Sequence, residues 1–224
     1  MSNLRRRLGL LLLAALGLLL QSCQAAELRN ARIQRFVEEM IFGGPNDRDP
    51  AREPRLLRWE RPVRVYYLDN PLPQQVALFQ EQLAVFSGLT AVPVLPAASA
   101  AEANLTVAFK RNPDFLINRE YVPCYVGVRS NERELILAEI EISVADPDRI
   151  KPCVAHELMH SFGFGYHSAI VRSIMSPLHG EETLTEWDEL ALRLLYDPSL
   201  EGGMTREEAR PVMKGLIVTL QEAS

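Results

Sequence analysis

His156 and His160 stand four residues apart, Glu157 sits beside the first, and His167 follows within the stretch HELMHSFGFGYHSAIVRSIMSP. All four histidines of the 224-residue chain fall between His156 and His179. On a helix, a step of four turns the chain by about 400° and lifts it by about 6 Å, so both imidazoles project from one face. Zinc takes nitrogen ligands at about 2.0–2.1 Å, and two rings so placed can supply a pair. Glu157 is adjacent without being forced to coordinate. From there a carboxylate can take a proton from water and pass it to a leaving amine. A bound zinc ion lowers the pKa of water to about 7 and polarises a carbonyl, which is what peptide-bond hydrolysis needs.

A catalytic zinc keeps three protein ligands and one open position. Gly163, three residues after His160, suits a left-handed exit from the helix, and Gly165 adds freedom, so His167 can swing back as the third ligand. His179, Glu182 and Glu186 are the alternatives by residue type, Glu186 because it opens a second predicted helix. Ser173-Ile174-Met175-Ser176-Pro177 reads as a compact turn. Met175 is either an apolar floor beneath the site or an ordinary core methionine. Tyr166 is near enough to assist an oxyanion, or simply packs.

HELMHSFGFGYHS followed by SIMSP resembles the metzincin clan of zinc peptidases, most of all its matrixin branch. That clan carries H-E-x-x-H-x-x-G-x-x-H and then a Met-turn. The likeness runs from the strand at Val63 through ANLTVAF to LTEWDELALRLLYDP. It implies an α+β, zincin-like domain with a mixed twisted sheet, an active-site helix and C-terminal helices. It further implies Zn2+ held by His156, His160 and His167, Glu157 as catalytic base, Met175 in the Met-turn, and a polypeptide substrate. The chain departs from the pattern in one place: His167 lies four residues after Gly163, where the clan has three. The extra residue lengthens the loop by up to about 3.5 Å. Pro177 stands where some metzincins keep a metal-linked tyrosine, so that role is not carried over. The stretch LYDPSLEGGMTREEA is similar to a proteobacterial family of lipoproteins of unknown function. Many of its members carry Gln or Asn-Asp where metal-binding histidines would stand. This second likeness implies an alternative: a non-catalytic zinc-binding or scaffold lipoprotein that retains the fold and has no need of Glu157.

The elements that must carry these residues are read from periodicity. Ile33, Phe36, Val37, Met40 and Ile41 form a stripe at helical spacing, stopped by Gly43-Gly44-Pro45. Such a helix would pack on the domain or serve as a spacer, and the Pro-, Asp- and Arg-rich stretch 46–55 reads as a linker. Val63–Leu68 and Leu105–Phe109 are strands, with a helix between them from Pro73 to about Gly88. Ala138, Ile140, Ile142 and Val144 alternate with Glu139, Glu141 and Ser143, the period of a half-buried strand, and the helix bearing His156 comes next. The stretch Leu135–Ala138 is the expected sheet edge along which an extended polypeptide would pair. Thr185 with Asp188, and Thr205 with Glu208, mark the starts of two further helices.

The chain begins with Arg5, Arg6 and Arg7, a leucine-rich run from Leu8 to Leu20, and Leu20-Gln21-Ser22-Cys23. This reads as a secretion signal and resembles the bacterial lipobox, in which Cys23 carries lipid after cleavage. The expected organisation is a lipoprotein signal peptide at 1–22, an N-terminal helix and linker at 23–58, and the metzincin-like domain at 59–224. The implied location is the periplasm-facing cell envelope, lipid-anchored, with Gln24 pointing to the outer membrane. Cys124 and Cys153 then form the expected disulfide of an exported protein. A formal charge of −5 gives no basic field for nucleic acid. The oligomeric state is not legible.

Overall fold

The computed structural model describes residues 24–45, 47, 53–111, 116–117 and 120–222. The signal segment 1–22 and the lipidation candidate Cys23 lie outside the described residues. Helix α1 covers 24–42, followed by β1 (Val63–Tyr67), α2 (Pro73–Thr90), β2 (Val94–Pro96) and β3 (Leu105–Lys110). A small pair, β4 (Leu116–Ile117) and β5 (Glu120–Tyr121), precedes β6 (Cys124–Ser130) and β7 (Leu135–Ser143). Three helices complete the order: α3 (Pro147–Ser161), α4 (Glu186–Leu195) and α5 (Arg206–Glu222). Helices on a mixed sheet make the protein α+β, as expected.

The main sheet runs β2-β1-β3-β7-β6; the first four strands are parallel, and β6 is antiparallel to β7. Leu105 to Phe109 of β3 are all buried, as a central parallel strand covered on both faces must be. β7 buries Leu135, Ala138, Ile140 and Ile142 and turns Ile136 and Glu139 outward, following its sequence alternation. The expected edge at Leu135–Ala138 is corrected: that stretch is flanked by other chain, with Val128 opposite Ala138, Arg129 opposite Leu137 and Ser130 opposite Leu135. The edge is β6. Its pattern gave little strand signal because Gly127 interrupts it and its outward residues include the apolar Tyr125 and Val128.

Helix α2 runs past Gly88, its expected end, to Thr90, where Ala91 takes a left-handed φ of 57°. Helix α1 packs rather than spaces. Ile33, Phe36, Val37 and Met40 are buried in the same core cluster as Val107, Leu158, Met175 and Leu194. The segments read apart as 23–58 and 59–224 therefore share one core. At its far end, α5 meets α1 through Arg210, whose Nε and Nη2 donate to the two Glu38 carboxylate oxygens at 3.0 and 2.8 Å.

Helix α3 starts on the Asp146 cap, whose side chain accepts from the Asp148 N–H, with Pro147 in the first turn. It packs against β6 and β7 on one side and α2 on another. Cys153 of α3 is bonded to Cys124 of β6, with Cα atoms 5.8 Å apart and a separation of 29 residues. Closing such a loop is worth roughly 3–4 kcal/mol in the chain-entropy model, and it ties the sheet edge to the histidine-bearing helix. Among the described residues no helix is long and apolar enough to cross a membrane.

Candidate metal centre

His156 and His160 lie one turn apart on the last part of α3 and share its face, as their spacing predicts. Each ring is anchored on its Nδ1 side: His156 Nδ1–H donates to the Ile174 carbonyl at 2.9 Å and His160 Nδ1–H to the Phe164 carbonyl at 2.6 Å. A carbonyl can only accept, so both Nδ1 atoms carry the proton and both Nε2 atoms present bare lone pairs. His160 Nε2 is 3.2 Å from His156 Nε2, and His167 Nε2 is 3.1 Å from it. Two proton-free nitrogens at that distance repel unless a cation lies between them. Ligands on a tetrahedral zinc with bonds of about 2.0–2.1 Å sit roughly 3.3 Å from one another, so the three rings fit the ion. Among the described residues, His156, His160 and His167 are brought together within 4.8 Å.

Burial drives the electrostatics of the site. It lowers His156, with the Ile174 bond and the Asp188 charge pulling the other way. His160 falls to about 3, through burial first and the His156 and His167 rings second. His167 falls to about 4, through burial and His156, against an upward pull from Asp47. All three are neutral imidazoles at pH 7, the form that ligates metal. Glu157 is 4% exposed, and burial raises its carboxyl to about 8. It opens with the three histidines onto one cleft of about 1380 Å³, walled by β6 and by the 176–181 segment.

The alternative ligands are placed elsewhere. His179 also borders the cleft, but its Nδ1 meets Ser176 Oγ at 2.9 Å, and it does not belong to the histidine cluster. Glu182 and Glu186 are likewise outside the cluster, and Glu186 begins α4. Gly163 has φ +114°, and a Cβ there would meet the Leu57 carbonyl oxygen at 2.1 Å. Only glycine fits this exit from the helix. Within the loop Phe164 is fully buried and turns its carbonyl to His160. Tyr166 lines the cleft, and its ring lies against Gly43.

Met175 is fully buried within the turn after the loop, where its carbonyl accepts from Ser168 N–H at 3.3 Å. A residue the sequence disclosed only as part of a helix start controls this turn. Asp188, fully buried on α4, accepts from Ser173 Oγ at 2.5 Å and from Ile174 N–H at 3.1 Å, and its Oδ2 also takes Thr185 N–H at 2.8 Å. The same carboxylate thus caps α4 and fixes the backbone whose Ile174 carbonyl orients His156. The Thr185/Asp188 pattern announced the cap, but nothing local announced the reach to Ser173. The end of α3 is held similarly at long range: Trp59 Nε1–H donates to the Ser161 carbonyl at 2.8 Å and Tyr196 OH to that of Phe162 at 3.0 Å. These bonds satisfy carbonyls the helix leaves open.

Residues 30–215 match the family described as Protein of unknown function (DUF2927), and the chain belongs to that family. No curated protein matches the chain.

Proposed function

We propose that the protein is a zinc metallopeptidase of the metzincin kind, in which His156, His160 and His167 hold the ion and Glu157 is the catalytic base. The observation that carries this reading is the convergence of three histidine Nε2 atoms, two of them bare lone pairs, on one point beside a buried glutamate, at a cleft. When bound, zinc supplies Lewis acidity, which polarises a carbonyl and acidifies water. Glu157, buried beside the cluster, accepts a proton from the attacking water when in its carboxylate form and hands it to the departing amine. β6, an edge strand of the main sheet among the described residues, borders the same cleft, where an extended polypeptide would align with its backbone. Tyr125 and Val128 on that strand, 43% and 40% exposed, add apolar contact for side chains. Anchoring by lipid at Cys23 and residence in the cell envelope belong to the same proposal; they are motivated by the Leu-Gln-Ser-Cys stretch.

The test is metal analysis by mass spectrometry on full-length chain purified without added metal, together with cleavage of unfolded casein. About one zinc per chain and measurable cleavage are expected. Glu157→Gln is expected to keep zinc and lose activity by roughly 10²–10⁴-fold. Metal-free protein would sink the reading. Full zinc occupancy with no cleavage of any peptide library would favour the non-catalytic scaffold.

A further inference from the structure

We propose that α1 is a positioning element of the metal site, holding the loop of residues 164–170 so that His167 meets the two helix-borne rings. The inference rests on the metal reading above. It adds Arg32, Glu39 and the Met40 carbonyl to the residues on which that site depends.

Three ties join α1 to this loop, and they flank His167 on both sides. Tyr166 N–H donates to the Met40 carbonyl at 3.0 Å. Ser168 Oγ donates to Glu39 Oε2 at 2.8 Å. Arg32 Nε and Nη2 both donate to the Ile170 carbonyl, at 3.1 and 2.6 Å. Gly43, just past the helix with φ +79°, lies so close to the Tyr166 ring that a Cβ there would come within 3.2 Å of it. The Glu39 carboxylate is itself held, because its Oε1 takes Arg35 Nε–H at 3.0 Å.

The need for such a brace follows from the loop. His156 and His160 have Nδ1 anchored by carbonyls, whereas among the described residues no backbone partner is seen for His167 Nδ1. The stretch from Gly163 to His167 carries one residue more than the metzincin spacing, and its two glycines increase the entropy lost when His167 is ordered. Hydrogen bonds from a helix whose apolar face is locked in the core offset that loss in advance. Ser168 is 3% exposed, and a hydroxyl bonded to a carboxylate in such a place is a strong tie. Neither Ser168 nor Glu39 belongs to the ligand cluster, so both act through His167.

The experiment compares full-length wild type with Ser168→Ala and Glu39→Gln. It reads the zinc dissociation constant by competition with a chelator, and hydrogen–deuterium exchange over 164–170 and over α3. Each variant is expected to bind zinc about tenfold more weakly, the size of effect that partners behind metal ligands produce. Exchange over 164–170 is expected to quicken while α3 is unchanged. Should Ser168→Ala fail to fold, Glu39→Gln, a near-isosteric change, carries the test. Unchanged exchange over 164–170 overturns the brace. Faster exchange with affinity held within twofold overturns its part in the metal site. If wild type binds no zinc, the metal reading fails by itself, and the exchange difference alone decides whether α1 holds the loop.

Discussion

The histidine cluster has two halves built in different ways. His156 and His160 stand on α3, where helical geometry places them relative to each other, each with its Nδ1 tied to a carbonyl. His167 stands on a loop outside the helix and is kept in place by neighbours, among them α1 residues far away in sequence, with Ser168 and Glu39 separated by 129 positions. The spacing within the first half requires local order only, although the Ile174 carbonyl that orients His156 lies 18 positions further on. The second requires that the core first bring α1 to the loop. A ligand set can therefore be partly local and partly a product of tertiary packing, and the two parts should respond differently to damage.

The harshest break comes at the junction of the halves. Gly163→Ala forces a left-handed φ on alanine and drives its Cβ into the Leu57 carbonyl. Strain and overpacking together should cost about 4 kcal/mol, read as a shifted midpoint in chemical denaturation. Reducing Cys124–Cys153 strikes the helix-borne half, since it frees α3 from β6. A loss of about 3 kcal/mol is expected on the same denaturation curve. The comparison itself is sharpened by His160→Ala against His167→Ala. If a zinc site worth roughly 10–16 kcal/mol is shared over its three ligands, the helix-borne ring should cost several hundred-fold or more in affinity by chelator competition. The loop-borne ring should cost less than this, though more than the roughly tenfold of the brace variants, because part of its contribution is spent on ordering the loop. An equal loss for the two would break the comparison. The mildest change is Asp188→Asn, which keeps shape but weakens the bonds to Ser173 and Ile174. It should cost between about 1 and 2 kcal/mol of stability and loosen zinc only slightly.

Legibility divided along the same line. The helix with both histidines, the alternation of β7 and the caps at Thr185 and Thr205 were all readable, because each is a local pattern repeated at the period of its element. The disulfide between Cys124 and Cys153 was readable as well, since two cysteines outside the signal region leave one pairing. The sheet edge was misread. Leu135–Ala138 has the stronger strand pattern, yet β7, the last strand in the chain, inserts between β3 and β6, so that β6 covers it. The double duty of Asp188 was hidden for a related reason: a capping signal reports the helix it starts and not the turn across the core.

The amino-acid order alone determined that two imidazoles and a carboxylate would share one helical turn, since 3.6 residues per turn leaves no other arrangement once that segment is helical. Gly163 also announced a left-handed exit from that helix, though the Leu57 carbonyl that leaves no room for a Cβ there is brought in only by the fold. Tertiary structure alone decided which later side chain completes the trio, which strand forms the rim of the cleft, and that a helix from the other end of the chain steadies the loop. Those outcomes depend on contacts between residues far apart in sequence, and such contacts form only when burial of a common core brings the segments together.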